Sequence, residues 1–265
     1  MDVMTRHNVR VSGRPGGPPM VFAHGFGCDQ GMWRYVAPAF EETHRVVLFD
    51  HVGAGGSDAS AFDPARHGRL DGYAADVVEI IDALALGPVT FVGHSVSAMV
   101  GVLAGLQRPE LIDRLVLIGP SPRYIDDDGY RGGFSQEEID ELLETMDDNY
   151  LGWSAHIAPV IMGVPDRPEL GEELTSSFCR MDPVIARQFA KTTFLSDNRD
   201  DLARVATPAL VVQCRDDVIA PVEVGTYVHE NLTDSELVIL DAIGHCPNLS
   251  APDQLITAMK SYLTA

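Results

Sequence analysis

With 265 residues, 45% of them hydrophobic and 22% charged, the chain is sized for one large globular domain or two small ones, which excludes a disordered or fibrous protein. Its 19 Lys and Arg against 39 Asp and Glu leave a formal charge of -20, so a nucleic acid or an anionic bilayer meets repulsion over most of the surface. Neither is expected as a partner. Met1 to Val11 lacks the apolar region of a secretory signal, and no run approaches the roughly 18 apolar residues of a membrane span, so a soluble, cytoplasmic protein is expected. Cys28, Cys179, Cys214 and Cys246 are far apart and form no C-x-x-C pair, and are read as reduced thiols.

In chain order, Met20 to Ala23 and Arg45 to Phe49 are short apolar runs of strand character. The spacing of Ala74, Val77, Val78, Ile81 and Leu84 predicts a helix over 71–84 with one buried face, leaving Asp76, Glu79 and Asp82 to water. Gly87-Pro88 ends it. Val89 to Val92 reads as a strand and Val96 to Leu106 as a helix apolar all round, followed by a strand over Arg114 to Ile118. The alternation then stops. Between Tyr124 and Asp201 no strand is convincing; a helix over 135–150 opens with a capping box of Ser135 and Glu138, and another starts at Asp182-Pro183 and runs to about Phe194. Strands resume at Ala209 to Val212 and Leu237 to Leu240, and Asp253 to Leu263 closes the chain as a helix. The fold class is therefore α/β: a mostly parallel, doubly wound sheet, with residues 1–120 and 202–265 as its core and 121–201 as a helical insertion. Such an insertion covers a site at the carboxyl ends of the strands.

The strongest local signal is Gly93-His94-Ser95-Val96-Ser97, set between a strand and an apolar helix. A serine on such a sharp turn is held with its hydroxyl at the sheet edge, which is a nucleophile elbow. The usual pattern is G-x-S-x-G, and Ser97 departs from it while remaining small. Serine is a weak nucleophile and requires a base with a carboxylate to orient it, in the chain order serine, acid, histidine. Cys214-Arg215-Asp216-Asp217 follows a late strand, and Gly244-His245-Cys246 follows the last one, so all three groups fall at one sheet edge. Both Asp216 and Asp217 are open as the acid; Asp217 is preferred because Pro221 four positions later matches a D-x-x-x-P turn of similar hydrolases. His24-Gly25-Phe26-Gly27 follows the strand at Met20 to Ala23 and can turn a backbone N–H toward Ser95, so Phe26 and Val96 are the candidate oxyanion donors.

Two other chemistries find less support. Gly53-Ala54-Gly55-Gly56-Ser57-Asp58 lacks both the third glycine of a dinucleotide fingerprint and a Lys-Ser/Thr pair, and reads as a turn. The nine histidines include no H-E-x-x-H and no pair flanked by suitably spaced acids, so neither a metal nor another cofactor is expected.

Longer strings make the chain recognisable: HGFGCDQGMW, GHSVSAMVG, GPSPRYIDDDGYRGGF, DPVIARQFAK, QCRDDVIAP and GHCPNLSAP. Over about residues 8–263 it resembles the α/β-hydrolase fold, and within it the RsbQ group of bacterial stress-response regulators and their plant relatives, the karrikin and strigolactone receptors. The SVS of the elbow is shared with the plant side, whereas DPVIARQFAK and GHCP look more like the bacterial side. The resemblance supports Ser95 as nucleophile, Asp217 as orienting acid and His245 as base. It also implies a pocket lined by Phe26, Tyr124, Phe134, Trp153, Val96 and Phe194 beneath a four-helix lid. By the same resemblance, a serine hydrolase of small hydrophobic esters, lactones or enol ethers is expected, acting as a signalling component that activates a PAS-domain phosphatase. A ligand-gated interaction protein with dispensable hydrolysis and a plain metabolic carboxylesterase are the alternatives.

Overall fold

The computed structural model describes residues 2–264. Seven strands form one sheet in the order β1-β3-β2-β4-β5-β6-β7: β1 (Arg10–Gly13), β2 (Pro19–Ala23), β3 (Arg45–Leu48), β4 (Val89–His94), β5 (Ile112–Ile118), β6 (Ala209–Asp216) and β7 (Ser235–Ile243). Only β1 is antiparallel to its neighbour, so the expected mostly parallel sheet is present. Its central strands read as continuous apolar runs because both faces are covered, and every residue of β4 is buried. The polar, exposed segment Arg10–Gly13 carries no such signal, and sequence reading passes over it.

A short α1 (Val3–Arg6) precedes the sheet, and α2 (Leu70–Ala83) and α3 (Val96–Gln107) cross between strands. Helix α2 buries Ala74, Val77 and Ile81 as its spacing predicts, and Tyr73 and Ile80 besides, whereas Val78 and Leu84 are only partly buried and Asp76 is not left to water. Its carboxylate is 1% exposed, held by Arg66 at 2.6 Å and His67 at 3.0 Å, because burial of a charge demands a paired and hydrogen-bonded partner. Helix α3 is buried over nearly its whole length, in keeping with an apolar circumference.

Between β5 and β6 lie α4 (Gln136–Asp148), α5 (Tyr150–Met162), α6 (Pro168–Arg180) and α7 (Pro183–Phe194). The capping box predicted at Ser135 and Glu138 is formed in both directions. The helix it starts ends at Asp148 rather than Tyr150, because Asn149 leaves helical geometry and its side chain caps α5 through Gly152 N–H. Asp182 caps α7 by accepting from Val184 and Ile185 N–H. The remaining helices are α8 (Arg199–Leu202), α9 (Val222–Asn231), α10 (Pro247–Ser250) and α11 (Pro252–Thr264). Among the described residues no helix is long and apolar enough to cross a membrane. All four cysteines are free, with Cys28, Cys214 and Cys246 buried.

Candidate active site

Three strand ends and the start of one helix converge above the carboxyl edge of the sheet. At the end of β4 the chain turns into α3 through Ser95, whose φ of 57° and ψ of -126° put a non-glycine residue in a region that normally suits glycine. The turn can close because Gly93 has no side chain: a Cβ there would stand 2.3 Å from the Ser97 carbonyl oxygen. His245 follows β7, and its Nε2 lies 2.8 Å from Ser95 Oγ. Its Nδ1 lies 2.7 Å from Asp217 Oδ2, on the loop after β6.

The choice between the two adjacent acids is a matter of burial. Asp216 is exposed at the end of β6, where its carbonyl accepts from Gly244 N–H, whereas Asp217 points inward. Asp217 Oδ1 accepts from Ile219 N–H at 2.8 Å and Ala220 N–H at 3.0 Å, which leaves Oδ2 for the imidazole. Burial by itself would raise the carboxyl pKa; the neighbouring His245, its hydrogen bond and the two backbone N–H groups outweigh that and hold it below the ordinary carboxylate value. Asp217 is therefore an anion whose Oδ2 faces the ring.

Three further residues hold this arrangement, and sequence reading gave them no role. His94 Nε2–H donates to the His245 carbonyl at 2.7 Å, and burial drops the His94 pKa to about 3, so the ring is neutral. Gly119 makes room for the imidazole, since a Cβ there would lie 3.2 Å from His245 Cε1. Gln213 bridges from β6 to Asp217 Oδ2 at 3.3 Å and to the Ala220 carbonyl. His94 lies within the elbow string, and Gly119 and Gln213 open the strings GPSPRYIDDDGYRGGF and QCRDDVIAP, but no local spacing marks the contacts that they make.

The His24-Gly25-Phe26-Gly27 segment leaves β2 beside β4, where Ala23 pairs with Gly93. Gly25 packs so close to the elbow that a Cβ would stand 3.1 Å from Ser95 Cβ and 2.7 Å from His94 Nδ1. The loop carrying Phe26 is thus pressed against Ser95, and Val96 opens α3 directly after it.

Above Ser95 is a small cavity of about 30 Å³, room for one or two waters. Phe26, Tyr124 and Phe194 line it, with Cys28, Ile161, Leu174, Thr193, Ile219 and Cys246. Phe134, Trp153 and Val96 do not line it. Trp153 stands behind Phe26 at a centroid distance of 6.3 Å, packed on Phe178 at 5.2 Å, and Phe134 is tied into a bridge with Ile125. Val96 is buried in the helix start. A larger cleft of about 730 Å³ runs along α5 and α6 but reaches none of Ser95, Asp217 or His245. The insertion touches the site through its backbone as well: His245 N–H donates to the Ile161 carbonyl of α5 at 2.8 Å.

A model of the alpha/beta hydrolase family matches residues 20–258. The chain belongs to the alpha/beta hydrolase family. This hydrolase is 39% identical to the Karrikin insensitive 2 receptor CA of Petunia hybrida over 97% of its own length and 95% of the relative's. It is 39% identical to the Strigolactone esterase D14 of Arabidopsis thaliana, over 99% of its length and 98% of the relative's. Among solved structures it superposes on a hydrolase from Oleispira antarctica with a TM-score of 0.96 and 40% identity, covering 99% of this chain and 96% of the other. The resemblance to the plant karrikin and strigolactone receptors is therefore borne out. With esterase relatives and a serine, imidazole and carboxylate in sequence, the hydrolase is a serine hydrolase of the carboxylesterase type.

Proposed function

We propose that this hydrolase cleaves small hydrophobic esters, lactones or enol ethers, the esters and lactones by way of an acyl intermediate on Ser95. The observation that carries the reading is the unbroken series Asp217 Oδ2, His245 Nδ1, His245 Nε2, Ser95 Oγ, with spacings of 2.7 and 2.8 Å. Ser95 Oγ attacks the carbonyl carbon as its proton passes to His245 Nε2, and Asp217 steadies the imidazolium. The backbone N–H groups of Phe26 and Val96 receive the oxyanion. Collapse expels the alcohol or enol, which takes the proton from His245; water then adds to the acyl carbon with His245 again as base, releasing the acid and restoring Ser95. No cofactor enters either step.

The apolar wall formed by Phe26, Ile161, Leu174 and Phe194 supports a hydrophobic substrate. Helices α4 to α7 serve as the lid of the proposed site, residues 121–201, over a core of residues 1–120 and 202–265. At about 30 Å³ the cavity admits no ester, so rings of the lid rotate or the lid shifts when substrate enters. In the cell we place the hydrolase in the cytoplasm as a signalling component of the RsbQ kind, acting on a PAS-domain phosphatase.

A second reading, a ligand-gated interaction protein in which hydrolysis is dispensable, is favoured by relatives that carry the name receptor and by the bond from His245 to Ile161, which links site and lid. The test is turnover of short-chain aryl esters together with labelling by a fluorophosphonate. Wild type is expected to turn over and to be labelled once; Ser95→Ala should lose both while keeping its fold. A wild type that neither hydrolyses nor labels would overturn the enzymatic reading. Retained partner activation by Ser95→Ala would favour the second reading, and fast hydrolysis of simple esters with no phosphatase activation a purely metabolic esterase.

A further inference from the structure

The departure from G-x-S-x-G at Ser97 has a physical counterpart away from the reacting atoms. Ser97 is fully buried in the first turn of α3, and its hydroxyl lies 2.5 Å from the His24 carbonyl and 2.7 Å from His51 Nε2. A carbonyl can only accept, so the hydroxyl proton goes to His24, and Ser97 Oγ accepts from His51 Nε2–H. His51 backbone N–H in turn lies 3.0 Å from His24 Nε2. A backbone N–H can only donate, so His24 Nε2 is bare and its proton sits on Nδ1, which donates to the Gly25 carbonyl at 2.8 Å. That carbonyl belongs to the same planar peptide as the Phe26 N–H and points opposite to it. Cys28 N–H also donates to the Gly25 carbonyl, at 3.3 Å.

We infer that Ser97 and His51 are positioning residues for the oxyanion donor: they clamp the backbone and ring of His24, and His24 sets the plane of the Gly25–Phe26 peptide. This inference rests on the proposed role of the Phe26 N–H. Burial keeps both His24 and His51 neutral, as this pattern of donors and acceptors requires. The pair is no second nucleophile and base, because Ser97 is sealed from solvent and its proton is engaged by the His24 carbonyl.

The experiment compares wild type, Ser97→Ala, Ser97→Gly and His51→Gln in ester hydrolysis and in inhibition by an arylboronic acid, whose adduct on serine places an oxygen in the oxyanion site. Loss of the clamp loosens a donor used in the transition state more than in substrate binding. Ser97→Ala and Ser97→Gly should therefore lower kcat about tenfold with KM within twofold, and weaken boronate inhibition by the same factor. His51→Gln, which keeps an N–H donor facing Ser97, should retain most of the activity. If Ser97→Ala does not fold, Ser97→Gly carries the same comparison with the glycine usual at this position. Values of kcat and boronate affinity within twofold of wild type in the Ser97 variants would overturn the clamp, as would a loss confined to KM. Failure of the underlying reading looks different: wild type itself would then resist the boronate, or Ser95→Ala would keep its turnover.

Discussion

Ser95 holds a backbone conformation that an L side chain adopts only under constraint, and such strain costs on the order of 1–3 kcal/mol. The constraint comes from β4 and β5, since Ser95 N–H donates to the Ile118 carbonyl at 2.8 Å, and from α3 starting at the next residue. Both Ser95→Ala and Ser95→Gly remove the hydroxyl, but only glycine also relieves the strain. Ser95→Gly should therefore unfold at higher urea than Ser95→Ala, by about 1 kcal/mol; equal midpoints would show that the turn is not strained. Asp217 is tested by an isosteric change. Asp217→Asn keeps the shape but favours the wrong tautomer of His245, so kcat for an aryl ester should fall by about 10⁴-fold while the melting temperature moves little. That Ser95 and His245 come together was legible from the turn at Ser95, the strand ends and the chain order. Pro221 four residues on already favoured Asp217 over Asp216 in the sequence, and burial explains the preference: Asp216 is exposed, whereas Asp217 turns inward to the imidazole.

At the scale of elements, the four inserted helices are where sequence reading was coarsest. Caps at Ser135 and Asp182 and the apolar periodicity mark helix starts, because those are local hydrogen-bond choices. Which aromatic ring reaches the cavity depends on how α5, α6 and α7 pack on one another, and no spacing encodes that. Phe26 sits at the centre of this cluster, with Phe178, Phe189 and Phe194 at 5.4, 5.5 and 6.2 Å. Gly27 leaves room for it: a Cβ there would fall 1.9 Å from Phe178 Cε1, at a φ of +76°. Phe194 lines the cavity directly, and removing its ring should enlarge it. Phe194→Ala is expected to raise the ratio of kcat/KM for a hexanoate over an acetate aryl ester by at least about fivefold, a change of about 1 kcal/mol in relative transition-state binding. It should also cost about 3–5 kcal/mol of stability, as is usual for a buried Phe. An unchanged ratio would place the acyl chain elsewhere.

At the scale of the molecule, the fold buries an unusual set of neutral histidines. His7, His24, His51 and His94 are at most 1% exposed, and burial lowers the pKa of each. In the unfolded chain each takes up a proton as pH falls through about 6.5, whereas in the folded state each does so only at lower pH. Unfolding therefore binds protons in this window, and stability falls as pH falls, by up to about 1.4 kcal/mol per pH unit for each histidine. Asp217 and Asp76, held below their ordinary values, add stability that is present above about pH 4 and lost as pH falls through their folded pKa values. The urea midpoint should be flat between pH 7.5 and 8.5 and drop steeply from pH 6.5 to 5. A midpoint that does not move over that range would mean that these rings are protonated or solvated in the native state.

The α/β alternation, the sharp turn at Ser95, the convergence of Ser95, Asp217 and His245 and the place of the inserted helices could all be read from the bare residues, because each rests on local periodicity, on turn chemistry or on what a weak nucleophile demands. Distances across the sheet could not be read this way. Helical spacing leaves Asp76 to water, yet Arg66 and His67 hold it; the resemblance puts Trp153 at the pocket, yet it stands behind Phe26; and Ser97, in sequence a departure from a motif, meets His51 from 46 residues away in the chain. These are contacts between groups that the backbone brings together only when the whole core closes, and helical or strand period carries no information about them.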